Sequence, residues 1–177
     1  MIKEKIGLIG AMKPMETTEN SQKEWNEFRE WEARKHQEFF LPYYKNNRFE
    51  VIEDFTDRLS SYDMKLKKDE IIYYVDEKAR QRDYDDFIVE VFQCLKTGKI
   101  GWLYKFKTHY FYASWNNPEN PEPSSAYWID SKKLIDFLAT NFDELNSVVS
   151  QKGYGLTYNK RINWDDLLYL KIAEKII

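Results

Sequence analysis

An apolar run opening at Ile71 ends in Tyr73-Tyr74-Val75-Asp76-Glu77-Lys78-Ala79-Arg80, and a lone acidic residue, Asp63, stands 13 positions before Asp76 in Ser61-Tyr62-Asp63-Met64-Lys65-Leu66. Both stretches have the β-branched and aromatic content of strands. Lys67-Lys68-Asp69-Glu70 between them is a polar turn, so the pair is predicted to be a hairpin. Alternate side chains of a strand share a face, which sends Asp76 and Lys78 one way and Glu77 the other. Pairing then brings Asp63 towards Asp76, so that two carboxylates and an ammonium converge. Such a set suits a hard divalent cation beside a phosphate. Mg²⁺ takes oxygen ligands and is usually held by one or two carboxylates plus substrate phosphate. A lysine adds positive charge where negative charge develops. The competing reading is an exposed strand whose charges serve solubility.

The rest of the composition narrows the class. A chain of 177 residues suggests one domain with a sizeable core. With 42% hydrophobic residues, 17% aromatic ones and only 6 Gly and 5 Pro, it reads as folded rather than disordered or fibrous. The net charge of -3 argues against a uniformly basic nucleic-acid binder, so any such contact needs a local basic surface. The single cysteine, Cys94, rules out an intramolecular disulfide, and its apolar neighbours predict a buried structural thiol. Two histidines and one cysteine argue against a zinc site. No stretch approaches the ~20 apolar residues of a membrane span, and Met1 to Gly10 lacks the apolar run of a secretory signal. The expected location is cytoplasmic, with no membrane partner.

Residues 1–20 read as a flexible N-terminal arm and 21–177 as a single domain. Gly7-Leu8-Ile9-Gly10 is not a phosphate loop, because no strand precedes it and no Lys-Ser/Thr closes it. Ser21 with Glu24 has the form of a capping box. Trp25, Phe28, Trp31 or Glu32, Lys35 and Phe39 then recur at helical spacing, and Pro42 is expected to end the helix. Strands are predicted at 49–52, 62–66, 71–79, 87–93, 100–105 and 109–114. A loop with Pro118, Pro121 and Pro123 follows, then a helix from its cap Ser131 to about Leu145. Gly153-Tyr154 is a turn into a short strand, and Asn163 caps a last helix over Trp164 to Ile177. The fold class is α/β or α+β, with a central mixed β-sheet flanked by helices.

This order of helix, strand with Asp, turn, strand ending in Asp-x-Lys and strand with Glu resembles the PD-(D/E)XK nuclease superfamily of restriction endonucleases, junction resolvases and phage exonucleases. The resemblance covers residues 21–115, and it is a short motif on a matching element order; Tyr62 stands where the family has a proline. It implies a restriction-endonuclease-like core and a deoxyribonuclease that uses Mg²⁺ or Mn²⁺. By the same resemblance, Asp63 and Asp76 ligate the metal, joined by the backbone carbonyl of Glu77. Lys78 contacts the scissile phosphate or the attacking water. A helical glutamate completes the site, with Glu38 preferred and Glu32 as the alternative.

Glu90 lies inside an apolar strand, where a charge is costly unless paired or metal-bound. It is either a third acidic ligand and catalytic residue or the partner of Arg80 or Lys78. Basic residues follow the motif, and Arg80, Arg82, Lys105 and Lys107 are the expected phosphate contacts on DNA. Trp102, Tyr104, Phe106 and Tyr110 interleave with the last of these. They either stack on bases or pack one face of a sheet, and their periodicity favours packing. His109 is expected to be a structural turn histidine. The small size suggests a structure-directed or accessory nuclease of phage or mobile-element type, with dimerisation as one route to recognition. The rival functions are a nuclease fold without catalysis, serving in nucleic-acid binding or protein assembly, and a protein-binding accessory factor with an aromatic interface.

Overall fold

A computed structural model of the chain describes residues 19–55, 61–152 and 155–177. The arm expected over 1–20 lies outside these residues except for Glu19 and Asn20, which already belong to helix α1 (Glu19–Lys35). Ser21 is therefore inside the helix and does not cap it. Nor does Pro42 stop the helical rod. A π turn over His36–Phe40 leads directly into α2 (Leu41–Asn46), and the Leu41 N–H donates to the His36 carbonyl five residues back. Pro42 falls in the first turn of α2, where its missing N–H has no role to fill. The turn brings His36, Phe39 and Phe40 together on the buried side.

The strands are β1 (Glu50–Asp54), β2 (Met64–Lys68), β3 (Ile71–Arg80), β4 (Asp86–Cys94), β5 (Lys99–Ile100), β6 (His109–Ser114), β7 (Ser125–Asp130), β8 (Ser147–Lys152), β9 (Gly155–Asn163) and β10 (Ala173–Lys175). Helix α3 spans Ser131–Asn141 and α4 spans Trp164–Tyr169. Six strands form one sheet in the order β1-β2-β3-β6-β7-β10, and four form a second in the order β5-β4-β9-β8. The β2–β3 hairpin is antiparallel with Met64 opposite Val75, whereas β3 and β6 are parallel. The fold is α+β with a mixed central sheet flanked by helices, as expected, but the strands divide between two sheets instead of filling one.

Both faces of the six-stranded sheet are covered. Val75, Ala79, Phe111 and Ala113 pack with Trp31, Phe39, Phe40 and Tyr44 of the helical rod. On the other face, Tyr110, Tyr112 and Ile129 pack with Phe87, Val89 and Ile162 of the second sheet and with Leu134 and Trp164 of α3 and α4. Cys94 is a buried thiol, as expected, on β4, which lies between β5 and β9.

Several boundaries differ from the sequence reading. The strand expected over 100–105 is only β5, followed by a 3₁₀ turn at Trp102–Tyr104. Gly101 is the cause: its N–H donates to the Val91 carbonyl at 2.8 Å, and a Cβ there would lie 2.1 Å from the Glu90 carbonyl oxygen. Asp130, not Ser131, caps α3, accepting from the Lys133 N–H, and the helix ends at Asn141. Asn163 caps α4 as expected, but the chain leaves that helix after Tyr169 and adds β10 beside β7. The turn expected at Gly153-Tyr154 lies outside the described residues. No described helix is long and apolar enough to cross a membrane.

Candidate active site

Strand β3 sets the site by its alternation. Asp76 and Lys78 stand opposite Tyr110 and Tyr112 of β6, on the face that meets the second sheet, and Glu77 stands opposite Phe111 on the face that meets the helices. Asp63 lies one residue before β2. Its N–H donates to the Val75 carbonyl at 2.8 Å and its carbonyl accepts from Phe55 N–H at 2.7 Å, so its backbone is held on both sides. Beyond Met64 the Glu77 N–H has no β2 carbonyl to meet, and it donates instead to Asp63 Oδ2 at 2.7 Å. The N–H and C=O of a strand residue point to the same neighbour, so the Glu77 carbonyl opens on this edge as well.

Asp76 is 7% exposed and takes two ammonium groups, Lys78 Nζ on Oδ1 at 2.7 Å and Lys107 Nζ on Oδ2 at 3.4 Å. Burial works against its ionisation, but Lys78 and Lys107 outweigh this and hold Asp76 below the usual carboxylate range. Asp63 goes the other way. Burial first, then the adjacent Asp76 charge, raises it to about 8, and the two side chains share a hydrogen bond. Two carboxyls in this arrangement hold one proton between them. Burial would lower Lys78, but Asp76 and Asp63 raise it, so its charge is secure. Lys107 falls to about 8, because burial and the Lys78 charge outweigh Asp76.

Behind β3, the Glu77 carboxylate accepts from Tyr44 Oη at 3.0 Å and lies 2.8 Å from His36 Nδ1, whose Nε2 is 3.1 Å from Asp54 Oδ2. Burial alone would lower His36; Glu77 and then Asp54 raise it to about 9, so the ring is an imidazolium that donates to both carboxylates. The π turn thus grips the side chain of the residue whose backbone holds Asp63.

Asp63, Asp76 and Lys78 border a cleft of about 460 Å³ that is also lined by Arg29, Glu32, Glu90 and Lys105. No family model matches this chain, and neither does any curated protein or solved structure. The chemistry of the cleft is therefore the basis for assigning a function. Among the described residues no group of three or more His, Cys, Asp or Glu side chains is arranged to hold a metal. Asp63, Asp76 and the Glu77 carbonyl are nonetheless an all-oxygen set. Their number fits what Mg²⁺ takes from a protein when water and phosphate fill the rest of its shell.

The other expected residues divide. Glu90 reaches the cleft from β4 and is buried there. Glu38 does not reach it: the side chain is exposed and ion-paired with Lys35 at 2.8 Å. The alternative, Glu32, lines the cleft, and burial raises its carboxyl against the pull of Lys78, Arg80 and Arg29. The sequence carried a signal for this choice, since Trp25, Arg29, Glu32, Ala33 and His36 fall on one helical stripe and all line the cleft. Gln93 had no such signal. A bulge between Glu90 and Phe92 shifts the alternation and turns Gln93 into the same cleft as Glu90.

Lys107 is a correction as well. It was expected to contact phosphate at the surface, but its side chain is fully buried on Asp76, the Trp102 carbonyl and the Tyr110 ring. Lys105 lines the cleft, and Arg80 and Arg82 line an adjoining pocket. The aromatic segment does not pack one sheet face. Tyr110 is buried and Trp102 lines the cleft, while Tyr104 and Phe106 are 52% and 62% exposed. His109 stacks on Trp128 at 5.2 Å and meets Thr108, a structural setting.

Proposed function

We propose that this protein is a nuclease hydrolysing DNA phosphodiester bonds with Mg²⁺ or Mn²⁺, on a restriction-endonuclease-like core. The observation that carries the reading is the close pairing of the buried Asp63 and Asp76 carboxyls beside the Lys78 ammonium, 2.7 Å from Asp76. A carboxyl pair that must hold a proton is a site where a cation can replace that proton. Asp63, Asp76 and the Glu77 carbonyl would hold the ion. When bound, it supplies positive charge at the phosphate and lowers the pKa of a coordinated water.

The side chains have distinct roles. Lys78 remains charged at 19% exposure and lies where a phosphate oxygen gains negative charge. Lys107 offsets the buried Asp76 carboxylate from the protein side. Glu32 from α1 and Glu90 from β4 bring carboxyl groups into the cleft, as candidates to accept or return a proton during hydrolysis. Arg29 and Lys105 are cations for flanking phosphates, and the exposed rings of Tyr104 and Phe106 beside Lys105 suit stacking on bases. The test is hydrolysis of plasmid and single-stranded DNA with Mg²⁺ or Mn²⁺ by the wild type, Asp76→Ala and Lys78→Ala. Activity equal in all three ends the assignment.

One observation favours a second reading, a nuclease fold that binds or assembles without catalysis: both Asp76 oxygens already have an ammonium partner. Titration calorimetry with Mn²⁺ separates the two. Binding that is abolished by Asp63→Ala supports hydrolysis, and no binding supports the inactive module.

A further inference from the structure

Next to the cleft lies a second pocket of about 390 Å³, bounded by the end of β3, by β4 and by the β8–β9 hairpin. Trp102 and Glu90 line both, so the two spaces adjoin at these residues. Arg80 and Arg82 stand at its wall, and neither forms an ion pair among the described residues. Tyr84 offers an exposed ring. The wall also includes Asp86, which meets Arg161 through Oδ2 while its buried Oδ1 has no partner among the described residues.

We propose that this pocket is a subsite for one unpaired nucleotide adjoining the scissile phosphate. This rests on the reading of Asp63 and Asp76 as the hydrolytic centre. Two features set the occupant. The two guanidinium groups call for a phosphate, and the rings of Tyr84 and Trp102 for a flat aromatic group. A nucleotide has both, and its volume suits a space of this size. A base can stack on these rings only when it has left the duplex stack. The substrate is therefore single-stranded, or opened into a single strand, where it meets the pocket.

The experiment measures binding of the full chain in EDTA, where hydrolysis does not intervene. The probes are a fluorescent single-stranded oligonucleotide and a blunt duplex of the same sequence. The single strand is expected to bind at least about tenfold tighter, the worth of one stacked base. Val148→Trp, which fills the pocket from β8, removes that preference. Arg82→Ala and Tyr84→Ala, both at exposed positions, reduce it and guard against a misfolded Val148→Trp. Equal binding of the two probes, or a preference that survives all three substitutions, overturns the subsite. A pocket-dependent preference without Mg²⁺- or Mn²⁺-dependent hydrolysis would instead remove the nuclease reading and leave a single-strand binder.

Discussion

The backbone N–H of Glu77 donates to Oδ2 of Asp63 at 2.7 Å, so the residue between Asp76 and Lys78 holds an acidic group that comes from outside β3. The same residue is gripped from behind by His36 and Tyr44. Its side chain is turned away from the cleft, yet its backbone determines where Asp63 stands. Acid, lysine and strand edge thus form one mechanical unit.

The shared proton gives a pH dependence whose sign is fixed. The Asp63 carboxyl rises from 3.8 to about 8 on folding, so the folded chain binds the extra proton between these values. Stability of the cation-free protein therefore falls as pH rises through that window. In EDTA, the infrared band of a protonated carboxyl is expected to persist at pH 7 and fade near pH 8. Mn²⁺ added at pH 7 should remove the band and release a proton, measurable by calorimetry in buffers of different ionisation enthalpy. A band already absent at pH 6 would contradict the arrangement.

His36 works in a neighbouring window. Its pKa rises from 6.5 to about 9, so its pairing with Glu77 and Asp54 stabilises the fold fully below 6.5 and is lost as pH climbs through 9. The stability difference between wild type and His36→Gln should be constant from pH 6 to 6.5 and decline towards pH 9.5. Urea midpoints at each pH provide the check, and a difference independent of pH would exclude the imidazolium.

Lys107 makes the Asp76 substitution more than a test of activity. Asp76→Ala leaves a buried ammonium without its carboxylate, and breaking such a pair costs about 3–5 kcal/mol. Adding Lys107→Met should restore much of the stability without restoring hydrolysis. Denaturant unfolding of the single and double variants measures the first effect, and DNA cleavage the second.

Gly101 and Gly98 should respond differently to alanine. At Gly101 the new Cβ meets the Glu90 carbonyl oxygen at 2.1 Å, so Gly101→Ala must displace β4 or the Trp102 turn, at about 2 kcal/mol. At Gly98 nothing lies within 4 Å, and only the φ of +66° resists, at about 1 kcal/mol. Tryptophan fluorescence should shift for the first variant and remain unchanged for the second, since Trp102 follows Gly101 directly.

What could be read along the chain was what short-range periodicity controls. The alternation of Asp76, Glu77 and Lys78 follows from strand geometry alone, and the β2–β3 hairpin follows from its polar turn. The burial of Cys94 and the cap at Asn163 were equally local. What depended on distant partners was hidden. The π turn that carries the rod past Pro42 is set by packing against β3 and β6, and the bulge that turns Gln93 into the cleft is set by pairing with β9. The same holds for charges. Whether a lysine such as Lys107 ends in solvent or against Asp76 depends on which strands meet around it, and the sequence spacing of 31 residues carries no trace of that contact. Sequence alone determined which way Asp76 and Lys78 face. Tertiary structure decided what they face, because a side chain's direction is a backbone property and its partners are a property of the whole fold.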